Sequence, residues 1–385
     1  MKYLRYLVTT FMVLAIFGGY FYYLTFSGQL QQNPLSSTII AAVRPYPAMT
    51  GPRELTLNCD YHGKNLSVNE TMYSSLDDYY RTDPAKKSAY LHNEEKKFVY
   101  SYDKDTTIKD LATKIAALGA ENKLNSDQIL DLSACFIQNI PYDDAKAARI
   151  LGPDFAKQPI SLVIPRYPYE ILYDKTGICT DKTFLGAAIM EQLGYQSAIM
   201  TFDAQKHMSL GVAVPAGYGS FGTNYAIMEL TGSGFLVGDI PELNASAGLA
   251  INNFQTLPQG DANTTSIAQL KLADPSEVID VSTGVTYNRI VERAATKAKL
   301  VELRPQLEEL QNNYKKAAET LTTAESALAA AEANYKSQPT NATYAAYSKA
   351  YNSYLADYDD AQSKINQYNN MVNLYNSYVE KYKQF

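Results

Sequence analysis

The sequence predicts an α+β core, and three observations predict it. Apolar residues recur at helical spacing over Thr106–Gly119 and Ser126–Asn139. Short apolar runs of β type follow from Gln196 onward, separated by polar turns. Between the two regions, Phe184, Leu185, Ala188, Ile189 and Leu193 mark one further helix, and Cys179 sits where it begins. Helices followed by a run of short strands are the order of an α+β domain with an antiparallel sheet.

The chain opens with Lys2 and Arg5 ahead of an uncharged run, Tyr6 to Phe26. At ~1.5 Å per residue that run is long enough to cross a hydrocarbon core of ~30 Å. It ends in Tyr20-Phe-Tyr-Tyr-Leu-Thr-Phe26, an aromatic belt rather than a small-x-small cleavage site. Residues 1–26 therefore read as a transmembrane signal anchor, and the positive charges before it place everything after Ser27 outside the cytoplasm. Residues 27–51 form a polar tether. Residues 52–105 read as a small subdomain or lid with β-like runs at Glu54–Asn58 and Lys97–Tyr102. Asn65, Asn69, Asn244, Asn263 and Asn341 each begin an Asn-x-Ser/Thr sequon. Cys59 and Cys135 have two readings, a disulfide outside the membrane or, for Cys135, a plain buried thiol.

The core is assigned to 106–284. Its first helix carries Ile108, Leu111, Ile115 and Leu118 on one face; its second carries Ile129, Leu130, Leu132, Cys135 and Phe136 and is ended by Pro141. Gly177 is expected to supply a tight turn before Cys179, and Gly194 to close the helix that follows. A thiol at a helix N-terminus meets unpaired N–H groups and the positive end of the dipole, both of which favour thiolate. His207 heads the run Met208–Val214, Glu229 lies near the end of Asn224–Leu230, and a fourth run is expected at Phe235–Val237. A cysteine at a helix start, a histidine on one strand and a carboxylate on the next is the geometry of an activated thiol. The competing reading is a structural thiol with an unrelated histidine.

Several stretches together resemble the transglutaminase-like superfamily, near its archaeal and bacterial cysteine-peptidase-like branches. They are Phe136-Ile-Gln-Asn-Ile-Pro-Tyr142, Tyr167-Pro-Tyr-Glu170, Gly177-Ile-Cys-Thr-Asp-Lys-Thr183, Leu193-Gly-Tyr195, His207-Met-Ser-Leu-Gly-Val212 and Glu229-Leu-Thr-Gly-Ser-Gly234. The resemblance implies a papain-like core, with Cys179 as nucleophile, His207 as base and Glu229 as the orienting acid. Asp239 competes for that third place, and Gln138 is a candidate oxyanion donor. The family often carries an acid directly after the cysteine, where this chain has Thr180; of that pattern only Asp181 is kept.

The pattern changes at the C-terminus, assigned to 285–385. Leu300, Leu303, Leu307, Leu310, Tyr314, Ala317, Leu321, Ala324, Leu328, Ala331 and Tyr335 follow a 3-4 repeat. After a turn around Pro339 the repeat resumes, mostly in tyrosine, from Tyr344 to Tyr382. This predicts an antiparallel coiled-coil hairpin in which Ala331 and Ala324 face Tyr347 and Tyr354, and Ala317 faces Ala361. Pro305 is expected to kink the first helix or mark its start.

A net charge of −6 with no basic cluster outside the N-terminus excludes nucleic acid as an expected partner. The 3 cysteines and 3 histidines do not cluster at zinc spacing, and no cofactor or metal is implied. The function expected is a membrane-anchored, extracytoplasmic thiol peptidase or amidase acting on protein or envelope peptide bonds. Its alternatives are a crosslinking transglutaminase and an inactive binding module. The hairpin is expected to dock a partner, self-associate or act as a spacer.

Overall fold

The computed structural model describes residues 44–240, 242–244, 269–272 and 274–385. The anchor at 1–26, most of the tether and the sequon at Asn263 lie outside them. No helix among the described residues is long and apolar enough to cross a membrane. The chain forms two compact units that divide after Ile290.

In the first unit, strands β1 (Pro52–Tyr61) and β2 (Lys64–Tyr73) pair antiparallel as a hairpin. Helices α1 (Ser74–Arg81) and α2 (Pro84–Leu91) follow, then α3 (Thr107–Glu121) and α4 (Ser126–Gln138). Asn125 and Gln128 cap α4 reciprocally, each side chain accepting from the other's backbone N–H at 2.9 and 3.0 Å. Beyond α5 (Asp144–Leu151) and α6 (Pro168–Asp174) comes α7 (Cys179–Gln192). Strands β3 (Ser197–Phe202), β4 (His207–Ala213) and β5 (Tyr225–Met228) then form a sheet with a later strand, β8 (Glu277–Asp280), in the order β5-β4-β3-β8. All its pairings are antiparallel. Its fourth strand, β8, comes from much later in the chain. Residues 235–237, expected as a strand, instead lie in turns and loop after Glu229. A further short pair joins β6 (Glu242–Asn244) to β7 (Gln269–Lys271).

Helix α7 is the centre of the unit. The spacing predicted an amphipathic helix, but Asp181, Lys182 and Thr183 are buried along with Phe184, Leu185, Ala187, Ile189 and Met190. A helix covered on every side is a core helix, so its polar residues have been taken out of water for a reason. Gly186 lets it approach the sheet: a Cβ there would come within 2.4 Å of Leu230 Cδ1 and 3.2 Å of Leu210 Cδ2. Gly194 ends the turn after α7 with φ +79°, as its sequence position predicts.

Residues 52–105 are integrated into this unit rather than hinged over it. Phe98 stacks on Phe184 of α7 at 5.3 Å, Tyr80 stacks on Tyr169 of α6 at 5.2 Å, and Tyr80 packs edge-on to Tyr167. Buried Lys86 holds Glu170 at 2.5 and 2.7 Å. The expected strand at Lys97–Tyr102 is absent; Glu95–Phe98 is a 3-10 turn that inserts Phe98 into the core. Cys59 and Cys135 form a disulfide, tying β1 to α4 across a separation of 76 residues. The plain-thiol reading of Cys135 is thereby corrected: its side chain leaves the apolar stripe of α4 and meets the hairpin.

The second unit is built from α8 (Arg289–Ser337), which begins just before the division, and α9 (Asn341–Tyr382). Pro305 lies inside α8, which starts at Arg289, so it does not mark the helix start. The helices run antiparallel: Tyr314 stacks on Tyr368 at 6.0 Å, Tyr335 on Tyr347 at 6.1 Å, and Lys381 pairs with Glu292 at 2.8 Å. Ala317 and Ala361 are both buried. Near the turn, Tyr347 meets the ring of Tyr335.

Candidate active site

The turn that delivers Cys179 is fixed from both sides. Gly177 N–H donates to Pro141 O and Asp143 N–H to Gly177 O, both at 3.2 Å, so the extended backbone at Tyr142 lies parallel to Gly177. Gly177 does not have positive φ. It is small because a Cβ would stand 3.1 Å from that of Asp181. The retained acid of the motif, Asp181, is fully buried and organises the helix start. It accepts from Ile178 N–H at 3.2 Å, Arg166 N–H at 2.8 Å and Lys146 Nζ at 2.8 and 2.9 Å. Arg166 continues the network to Asp143 at 2.8 Å and Asp174 at 3.0 Å. This clamps the first turn of α7, where Cys179 is the buried free cysteine.

His207 opens β4 and Glu229 follows β5 on the neighbouring strand, which brings their side chains together. His207 Nε2 and Glu229 Oε2 are 2.8 Å apart, both residues buried. With Nε2 on Glu229, Nδ1 is the ring nitrogen left for the thiol, and Cys179 is near enough to act on the ring. Glu229 Oε1 accepts from Thr231 N–H at 2.8 Å and from its hydroxyl. Burial alone would depress the imidazole. The Glu229 charge and hydrogen bond, together with Cys179, outweigh it and carry His207 up to about 10. Burial would raise Glu229, but the His207 charge and the donors from His207 and Thr231 hold it below its ordinary value.

Of the two candidate acids, Glu229 is the one paired with His207; Asp239 accepts from Leu236 N–H at 3.0 Å in the following loop. Gln138 is brought close but does another job. Its amide donates to Glu229 O at 2.8 Å and Phe235 O at 2.9 Å, and its carbonyl accepts from Gly234 N–H at 3.3 Å. Both amide protons are committed to holding the Glu229 loop, so the oxyanion role expected of Gln138 is corrected. The group the sequence reading passed over is Tyr142. Its phenol lies against Cys179 at the start of α7, close enough for the cysteine to act on its ionisation. Burial and then the Cys179 charge push this phenol well above its ordinary value, so it stays a neutral donor. The signal was present in the motif, where Pro141 ends α4 and leaves the next side chain free to turn toward the helix start.

The comparisons with known proteins bear on this cluster. Residues 80–218 match the family of the transglutaminase-like domain. The matched stretch holds Cys179, His207, Tyr142 and the Asp181 clamp, while Glu229 lies beyond its end. No curated protein and no solved structure matches the chain.

Proposed function

We propose that this chain is a thiol hydrolase, a peptidase or amidase, that works through an acyl-enzyme on Cys179. The observation that carries the reading is the imidazole of His207 held between Glu229 and Cys179. An imidazole this strongly stabilised in its charged form favours a resting thiolate–imidazolium pair. The thiolate attacks the scissile carbonyl, and the C–N bond breaks as Nδ1 passes its proton to the leaving amine. Water, deprotonated by the now neutral ring, then releases the acid. Glu229 keeps the ring oriented and compensates its charge throughout. The oxyanion forms between the Cys179 N–H, at the helix start, and the Tyr142 hydroxyl.

The likeness to transglutaminase-like domains supports a second reading, in which a lysine amine resolves the acyl-enzyme instead of water. The two differ only in the nucleophile that reaches the thioester. We place the catalytic unit outside the cytoplasm, tethered by residues 1–26. The Cys59–Cys135 disulfide supports this, since such bonds persist in oxidising compartments. Its substrate would be a protein or envelope peptide, and the paired helices α8 and α9, read as a coiled coil, would dock a partner or a second copy.

The test is alkylation of Cys179 by iodoacetamide across pH in the full chain, beside His207→Ala and Glu229→Ala. The reading expects rapid modification at pH 6–7 that slows by roughly tenfold or more in His207→Ala. A wild-type profile indifferent to His207 would sink it.

A further inference from the structure

One buried charge has no part in the mechanism above. Lys182 is fully buried on α7, one turn beyond Cys179. Its ammonium donates to Gln138 O at 3.3 Å and Leu230 O at 3.2 Å, two backbone carbonyls on either side of the Glu229 loop. The charge acting on it is that of Glu229. Its sequence neighbour Asp181 is turned the other way, to Lys146 and Arg166. Every other buried cation of this unit reaches a carboxylate: Lys86 to Glu170, Lys146 to Asp181, Arg289 to Asp131. Lys182 is spent on carbonyls beside the triad.

Charge balance gives this position a meaning. A buried thiolate, imidazolium and carboxylate sum to one negative charge, which a site closed to water holds only at large cost. We propose that Lys182 is the counter-ion of the triad, holding the site's net charge at zero through its action on Glu229. The sum stays at zero along the reaction. In the tetrahedral intermediate the oxyanion replaces the thiolate. In the acyl-enzyme both the thiolate and the imidazolium charges are gone, leaving Glu229 and Lys182 to cancel. Lys182 touches neither substrate nor leaving group; it is a positioning residue that acts on the ionisation of the others.

The proposal rests on the thiolate reading of Cys179, and its test separates the two. Burial draws Lys182 down to about 8 against the opposing pull of Glu229, so it carries its charge at neutral pH and loses it as pH rises through 8. The other titratable groups around that carboxylate are His207 and, beyond it, Cys179 and Tyr142. The experiment is the iodoacetamide pH profile of the full chain in wild type, Lys182→Met and Lys182→Arg, with folding followed by circular dichroism. Methionine fills the volume without the charge. The expected result is a profile for Lys182→Met displaced upward by about one pH unit, hence about tenfold slower alkylation below the midpoint. Lys182→Arg keeps the wild-type profile. A folded Lys182→Met with an unshifted profile overturns the counter-ion role while leaving the triad standing. A wild type indifferent to His207 overturns the triad itself. If Lys182→Met does not fold, the double variant Lys182→Met/Glu229→Gln decides. Folding of the double variant supports charge balance, because both charges leave together; its failure shows that the carbonyl hydrogen bonds were the need, and overturns the proposal.

Discussion

His207 is the residue on which most of the chemistry turns, and its environment makes a pH-dependent contribution to folding. Its ordinary value of 6.5 is carried up to about 10. That stabilisation is fully present below 6.5 and is lost as pH rises through 10. Glu229, lowered by the same pair, contributes above its ordinary 4.5 and loses that contribution as pH falls through its folded value. The pair is therefore at full strength between the two ordinary values. Lys182 works in the other direction above pH 8, since its folded value is lowered. The readout is thus the difference in melting temperature between wild type and His207→Ala. That difference is expected to shrink steadily from pH 7 to pH 10; a constant difference would mean that the ring is not held as an imidazolium. At Tyr142, replacement by Phe removes the hydroxyl and keeps the ring. Hydrolysis of an activated ester by Tyr142→Phe is expected to lose about 10²-fold in kcat with little change in KM. Unchanged turnover would remove the phenol from the oxyanion site.

At the scale of elements, the N-terminal turn of α7 and the disulfide are the two joints that position the site. Asp181→Ala leaves Lys146 buried without its partner, and loss of one member of such a pair costs about 3–5 kcal/mol. Urea denaturation should show that loss; a change below 1 kcal/mol would mean that water solvates the Lys146 ammonium in the variant. For the disulfide, closing a loop across 76 residues predicts roughly 4 kcal/mol lost on Cys59→Ser/Cys135→Ser, measured in the same way. Much of this architecture was legible from local rules. The helices at 107–121 and 126–138 have the right period, and His207 and Glu229 fall on neighbouring strands that an antiparallel sheet brings together beneath the helix that Cys179 starts. Other features depended on distant chain. Phe235–Val237 has strand composition but runs as loop and turn beside β5, while the fourth strand, β8, joins at β3 on the opposite edge. Gln138 and Tyr142 lie four residues apart in one motif. Only the position of the Glu229 loop reveals that the amide is spent there, while the phenol reaches the thiol. The burial of Lys182 was not legible because a period cannot report that all faces of α7 are covered.

At the scale of the whole molecule, the chain combines two compact units with different means of stabilisation. The first has an aromatic and ionic core around α7 and a covalent cross-link. The second relies on a narrow seam of tyrosine and alanine between two long helices. Units built so differently have no reason to melt together. Differential scanning calorimetry is expected to resolve two heat-absorption peaks, and a single symmetrical peak would argue against separate cooperative units. The disulfide then gains a diagnostic use. Because both of its sulfurs belong to the first unit, a reducing agent should displace one calorimetric peak and leave the other where it was, labelling each transition with the part of the chain that produces it.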